Sequence, residues 1–211
     1  MQLDTTVVVP SLFAGLTQTL VGQPFDTCKT FIILKKPIPF RPSVLYRGSF
    51  YPFLSGISTN TVSFSVTTQL VGTGVNPFVA GLVAGITISP IVTLLDSRKI
   101  LRQIGEPKRA VNLRKTYPLY LAKESLAMSL YFGSYHTMTF HPLVSGAISG
   151  VLNWSVTFPL DVLRTRSVMG YSLRESLQKG GLYKGIGLCC ARALVVNACI
   201  FQAHDYVSSL C

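Results

Sequence analysis

The stretch Pro24-Phe25-Asp26-Thr27-Cys28-Lys29 places an acid two residues and a base five residues after a proline. A second copy, Pro159-Leu160-Asp161-Val162-Leu163-Arg164, keeps these offsets, and a glycine stands nine residues before each proline. A third copy, Leu94-Leu95-Asp96-Ser97-Arg98-Lys99, keeps the glycine, the acid and the base but has Leu94 in place of the proline. Three copies in one register indicate a chain built from three repeated units.

Long stretches without Asp, Glu, Lys or Arg surround these motifs, at residues 5–25, 48–95 and 125–160. A membrane span needs about 20 apolar residues and must pair its backbone internally, which favours helices. We therefore predict an all-α membrane protein with six transmembrane helices, near residues 10–34, 51–71, 77–103, 117–138, 142–169 and 187–209. This composition excludes a disordered tail, a basic nucleic-acid-binding domain and most soluble enzymes.

The net charge of +11, from 19 Lys and Arg against 8 Asp and Glu, is unevenly distributed. The connections after the first, third and fifth predicted helices carry Lys and Arg, whereas those after the second and fourth carry none. Six spans place the three basic connections on one side, where membrane proteins concentrate Lys and Arg. The positive charge is therefore interpreted as a topology signal.

The repeats divide the chain into three two-helix units, residues 1–74, 75–140 and 141–211. We expect them to surround a central cavity with pseudo-threefold symmetry. The second helix of the first unit follows Tyr46-Arg47-Gly48, and that of the third unit follows Tyr183-Lys184-Gly185. The second unit offers only Lys115-Thr116 at this place, a weak match.

These motifs resemble the mitochondrial carrier family over nearly the whole chain. The Lys123-Glu124 pair, the segment 192–201 and the segment 60–64 are similar to the carnitine/acylcarnitine and ornithine, or basic amino acid, branch. The resemblance implies a shortened, monomeric carrier that works by alternating access without a cofactor. It also implies a multi-pass protein of the mitochondrial inner membrane that has no cleavable presequence.

The charged residues of the three motifs are interpreted as a ring of interhelical salt bridges that closes the matrix side, with helix kinks at Pro24 and Pro159. The ring comprises Asp26, Lys29, Asp96, Lys99, Asp161 and Arg164. Such deep charges are functional by default because each costs on the order of 3 kcal/mol to place in a membrane. The alternative is weak pairing within each helix, between residues three apart.

The family has a second ring on the cytoplasmic side, and the equivalent positions here are Gln69, His136 and Asp205. These positions provide almost no charge pairs, because the residues three further on are Gly72, Thr139 and Ser208. We therefore expect a weak cytoplasmic gate and a resting state open to the intermembrane space.

The remaining intramembrane charges, Lys123, Glu124 and Arg192, are the candidate substrate site, together with Asn60. Glu124 would hold an ammonium group, and Arg192 would bind a carboxylate through two donors. The alternative is a structural ion pair of Glu124 with Arg192 or with Lys123.

The resemblance also implies that Arg47, Gly48, Lys184 and Gly185 bind cardiolipin phosphates near helix N-termini. We expect a small-molecule substrate, no nucleic-acid partner and no metal site, because the five cysteines and three histidines lack metal-ligand spacing. Two other functions stay open: a leaky, channel-like or proton-conducting member, and an interaction protein that keeps only the fold. An enzyme is not expected, because no nucleophile and base pair or nucleotide-binding glycine loop occurs.

Overall fold

Helices and turns make up the backbone that the computed structural model describes, which covers residues 5–38, 41–139, 142–192 and 195. Nothing is described of the side chains of residues 5–18, 142–144, 146 and 147. No strand occurs in the described part of the chain, and the all-α prediction is confirmed.

Long helices alternate with short connections along the described chain. They are α1 (Thr5–Ile33), α2 (Pro42–Leu45), α3 (Phe50–Gly72), α4 (Pro77–Gln103), α5 (Leu113–Thr137), α6 (Pro142–Val168) and α7 (Leu173–Gln178). Residues 186–192 are also helical. The predicted sixth helix, 187–209, thus begins within the described residues, and nearly all the rest of it lies outside them.

The start of α4 follows directly from its sequence. The side chain of Asn76 accepts a hydrogen bond from the backbone N–H of Phe78 at 2.9 Å, and Pro77 occupies the first helical position. Both features favour a helix N-terminus, because an Asn side chain satisfies a free N–H and proline has none to satisfy. The observed helix spans the predicted residues, 77–103.

Two helix starts lie several residues before the predicted ones, and one short helix was not predicted. The helix α1 begins at Thr5 rather than Pro10. The helix α5 begins at Leu113 rather than Tyr117, because the Asn112 side chain accepts from the backbone N–H of Lys115. The short helix α7 was not predicted, although Ser172 and Glu175 form a reciprocal capping box at its start. Such a box satisfies two otherwise free backbone donors, which supports even a short helix.

Neighbouring long helices pack in chain order, and α4 and α5 approach most closely. A Cβ atom added at Gly81 would lie 2.4 Å from the backbone oxygen of Met128, and one at Gly85 would lie 2.4 Å from that of Glu124. The absence of a side chain at both glycines is therefore what lets these backbones touch. This contact fixes the position of Glu124, on α5, relative to α4.

Apolar side chains occur both between the helices and on their outer surfaces. A buried cluster joins α4, α5 and α6, with Ile88, Leu101 and Val168 among its members. On the outside, Leu94 and Val151 are more than half exposed. By length and composition alone, α4 is the one helix in the described part of the chain that could cross a membrane.

Candidate functional site

Six charged side chains from the three motifs meet where α1, α4 and α6 converge. Three ion pairs join them: Asp26 with Lys99 at 2.7 Å, Asp96 with Arg164 at 3.4 Å, and Asp161 with Lys29. Each pair links two different helices, and no side chain of the six is more than 19% exposed. We call these six residues the inner ring.

Pairing within one helix occurs in addition at one motif. A nitrogen of Arg164, Nη2, lies 2.6 Å from Oδ1 of Asp161, three residues earlier on α6. Among the described residues, the motifs of α1 and α4 show no such local pair. The ring is therefore held mainly by contacts between helices, and Arg164 contacts two acids of the ring at once.

A buried amide links α1 and α4 beside the inner ring. The Nε2 of Gln103 donates to Oγ1 of Thr27 at 3.1 Å, and its Oε1 accepts from Oγ1 of Thr30 at 2.9 Å. Both functional groups of the amide are thus satisfied, as a buried polar side chain requires. The motif search missed Gln103 because the residue lies beyond the repeated acid and base positions.

Two of the predicted substrate residues, Glu124 and Arg192, contact the inner ring, and Glu124 also pairs with Lys123. The Glu124 Oε1 lies 3.0 Å from Nζ of Lys123 and 3.2 Å from Nη1 of Arg164. The Nε of Arg192 lies 2.9 Å from Oδ1 of Asp26, close enough for an ion pair but not aligned for a hydrogen bond. Of the two alternative structural pairs, the Lys123 pair with Glu124 is present, and no contact of Glu124 with Arg192 occurs among the described residues.

Trp154, on α6, lies between the inner ring and the predicted substrate residues. The Nζ of Lys29 stands 4.8 Å from its ring centre and the Nζ of Lys123 stands 5.9 Å away. Both distances suit a cation over an aromatic face. The sequence alone could have singled out Trp154, because it is the only tryptophan in the chain and precedes Pro159 by five residues.

Several predicted residues do not join this cluster. Asn60 is exposed and makes no hydrogen bond or ion pair within the described part of the chain. Gln69 and His136 are also exposed, and His136 contacts the ring of Tyr135. Asp205 lies outside the described residues.

The two predicted lipid motifs have the same backbone form. Gly48 has a φ of +85° and Gly185 a φ of +97°, values that favour glycine, while Arg47 and Lys184 are exposed beside them. At the corresponding place in the second unit, a cavity of about 320 Å³ lies between the start of α5 and the start of α7, which belongs to the third unit. Lys115 lines this cavity.

The basic connections contact one another across the three units. Lys36 lies 3.5 Å from Glu106, and Arg109 donates to Glu106 at 2.8 Å and to the Met169 carbonyl at 2.7 Å. Lys35 donates to the Lys179 carbonyl at 3.1 Å. The hydrogen bond from Arg109 lowers the pKa of the Glu106 carboxyl below its ordinary value. We call these contacts the outer loop contacts, and they join each unit to the other two.

Comparison with known proteins gives relatives over most of the chain, although no family model matches it. A mitochondrial arginine transporter of Arabidopsis thaliana is 27% identical over 92% of this chain and 87% of its own length. The human mitochondrial carnitine/acylcarnitine carrier protein is also 27% identical, over 92% of this chain and 90% of its own length. Mitochondrial ornithine transporter 1 of Schizosaccharomyces pombe is 24% identical over 76% of this chain and 74% of its own length.

The resemblance inferred from the repeated motifs is thus confirmed. The alignment to the human protein extends over 274 positions, more than the 211 residues of this chain, so the relative has segments that this chain lacks.

Proposed function

Because the chain is a shortened relative of the mitochondrial carriers, we propose that it spans the mitochondrial inner membrane and carries a small zwitterionic or cationic metabolite by alternating access. The observation that supports this most directly is the contact between the predicted substrate residues and the inner ring. Glu124 contacts Arg164 of the ring, and Arg192 contacts Asp26. A ligand bound by Glu124 and Arg192 would therefore act directly on the ring.

Three corresponding contacts support the three-unit arrangement. Each unit has a second long helix, and the residue at the start of that helix contacts another unit. The residue that it contacts stands three positions after the basic residue of the inner ring in that other unit. The contacts are Gly48 with Arg102, Thr116 with Ser167, and Gly185 with Ile32. A repeated contact of this kind is what a pseudo-threefold bundle of six spans would produce.

The chemistry of the site suits a substrate that carries both a carboxylate and an ammonium group. The guanidinium of Arg192 offers paired donors to a carboxylate. The Glu124 carboxylate would receive the ammonium group in place of Lys123, above the face of Trp154. An aromatic face attracts ammonium groups, quaternary ones included, by about 0.5–2 kcal/mol.

The charge balance of the cluster favours the carboxylate in particular. The inner ring contains three acids and three bases and is neutral, whereas Lys123, Glu124 and Arg192 leave one positive charge uncompensated. Arg192 is only partly buried and shares the Asp26 carboxylate with Lys99, so it can pair with a further acid. A bound carboxylate would neutralise the uncompensated charge, so a cation without a carboxylate is a poor substrate.

Substrate binding would also weaken the inner ring. A carboxylate on Arg192 competes with Asp26 for that guanidinium, and an ammonium group on Glu124 competes with Arg164 for that carboxylate. Each end of the ligand therefore removes one contact that holds a ring residue in place. We expect the closed ring to be more stable empty than loaded, as alternating access requires.

A leak is the second candidate function, favoured by the exposed and uncharged Gln69 at the predicted cytoplasmic gate. A gate without ion pairs would close less firmly than the inner ring. If the protein is a leak, the inner ring alone would limit the movement of ions or protons.

Lipid binding belongs to the same proposal. Arg47 and Gly48, and likewise Lys184 and Gly185, would hold phosphates of an anionic phospholipid such as cardiolipin. The cavity beside Lys115 is a place for a third headgroup despite the weak motif there. The protein would act as a monomer, because the inner ring is complete within one chain.

Uptake into proteoliposomes tests the function. Purified protein is reconstituted, and uptake of labelled carnitine, arginine and ornithine is measured with and without unlabelled substrate inside. Saturable uptake that needs internal substrate is expected for a carrier. Electrogenic flux without saturation would identify a leak, and no flux would identify an interaction protein.

The Glu124→Gln variant tests the substrate site. We expect it to lose at least about 90% of uptake, since a neutral amide cannot replace a carboxylate facing an ammonium group. Glu106→Gln, which makes the same change in a loop, is the matched control and should retain uptake. Full uptake by Glu124→Gln would refute the assignment.

A further inference from the structure

The pair of Asp96 and Arg164 is the weakest link of the inner ring by geometry. Its closest nitrogen and oxygen atoms are 3.4 Å apart, compared with 2.7 Å for the pair of Asp26 and Lys99. Arg164 is also shared with Asp161 and with Glu124. Asp96 therefore needs a second partner if it is to stay in the ring.

Tyr120, on α5, supplies that partner. Its hydroxyl donates a hydrogen bond to Oδ2 of Asp96 at 2.9 Å, and its side chain is completely buried. The Arg164 guanidinium lies 4.8 Å from the centre of the same aromatic ring. One side chain thus contacts both members of the pair, the acid through its hydroxyl and the base through its ring face.

The position of Tyr120 along α5 connects the pair to the predicted substrate site. Tyr120 precedes Glu124 by four residues, so the two side chains lie on the same face of the helix one turn apart. Glu124 also contacts Arg164. The helix that carries the substrate acid therefore holds both charged groups of this pair.

The other two units have no equivalent of this tyrosine. Tyr120 stands three residues before Lys123, and the corresponding positions hold Pro52 in the first unit and Cys189 in the third. Proline offers no donor and a thiol is a weak one. The brace is thus specific to the unit whose motif has Leu94 in place of the proline.

We propose that Tyr120 is a positioning residue of the inner ring, which holds the Asp96 carboxylate in place for Arg164 and so stabilises the closed matrix side. The role of the ring as a gate rests on the proposed function, whereas the contact of Tyr120 with Asp96 does not. A hydrogen bond to a charged group is among the stronger ones in proteins. Removal of the hydroxyl should therefore loosen the ring while its ion pairs remain.

Tyr120→Phe tests the proposal, because it keeps the aromatic face under Arg164 and removes only the hydroxyl. Tyr117→Phe is the matched control: its hydroxyl is one turn away on α5 and lies 3.4 Å from Ser89, outside the ring. With a weak cytoplasmic gate, opening of the ring limits turnover. We expect Tyr120→Phe to raise the maximal rate of exchange about threefold to tenfold with KM within about twofold.

Two measurements on substrate-free protein separate this inference from the function. Tyr120→Phe and Asp96→Ala should be non-additive in the thermal unfolding midpoint, because each removes the same hydrogen bond. Acrylamide quenching of Trp154, the single tryptophan, should rise in Tyr120→Phe and stay unchanged in Tyr117→Phe. Additive midpoints, or unchanged quenching, would overturn the positioning role even if exchange is observed. If the wild type exchanges no substrate but the non-additive midpoints and the increased quenching are both observed, the proposed function is wrong and the positioning role of Tyr120 is still supported.

Discussion

Neutralising the two members of one ion pair should have unequal effects, because Asp26 has two cationic partners and Lys99 has one acidic partner. Asp26 lies 2.7 Å from Lys99 and 2.9 Å from Arg192, whereas Lys99 has no other acid within ion-pair distance among the described residues. Asp26→Asn therefore leaves two cations without an acid. Lys99→Gln leaves Asp26 still paired with Arg192.

The expected magnitudes follow from burial. Breaking a fully buried pair costs about 3–5 kcal/mol, and an exposed pair contributes at most about 1 kcal/mol. These side chains are 13–24% exposed, so we expect a loss of about 2 kcal/mol for Asp26→Asn and about 1 kcal/mol for Lys99→Gln. At about 3 °C per kcal/mol for a chain of this size, the midpoints should fall by about 6 °C and about 3 °C.

Thermal unfolding in detergent, followed by helical circular dichroism, measures both variants. The double variant Asp26→Asn with Lys99→Gln is the most informative one. It removes Lys99, which is one of the two cations, with Arg192, that Asp26→Asn leaves without an acid. Its midpoint should lie above that of Asp26→Asn alone. Equal losses in the two single variants, or a double variant that loses the sum of both, would refute the assigned contacts.

Two further outcomes are expected. Gly85→Ala should lower the unfolding midpoint by about 3–9 °C, because its Cβ would lie 2.4 Å from the Glu124 carbonyl and overpacking costs about 1–3 kcal/mol. Gly56→Ala, whose Cβ would meet nothing within 4 Å, should change the midpoint little, and an equal loss there would contradict the close helix contact. Glu106→Gln should be less stable than the wild type at neutral pH and equally stable in acid. The pKa of the Glu106 carboxyl is lowered in the folded protein, so its contribution is present above the unfolded value of about 4.3 and is lost as the pH falls through the folded value. A stability difference that persists at pH 2 would count against this ion pair.

The repeated motif was sufficient to predict which charged residues to consider together, because the register of acid and base is a property of the sequence. It could not predict that Arg192 would contact Asp26 rather than Glu124. That choice depends on how far a long side chain reaches between helices, which no spacing along one helix encodes. The exposed position of Asn60 shows the same limit, since similarity to a relative's segment does not fix which way a side chain faces.

Helix positions were predictable where the sequence carries a local signal. Asn76 and Pro77 mark the start of α4, and the prediction placed that helix correctly. The start of α5 was misplaced because Arg114 and Lys115 were interpreted as loop residues, although Asn112 caps the helix before them. Tyr120 and Trp154 were overlooked for a different reason: each occurs in one unit only, and a search for repeats gives no weight to unrepeated residues.

The glycine contacts of α4 have a mechanical consequence. Because Gly81 and Gly85 bring the α4 backbone against the α5 backbone, no side chain separates the two helices at these positions, and they cannot easily slide past each other there. The second unit is then one rigid pair of helices that carries a ring acid, Asp96, on α4 and the proposed substrate acid, Glu124, on α5. A displacement of one acid therefore moves the other acid with it. This unit is suited to transmit motion, and the contacts between units are where relative motion can occur.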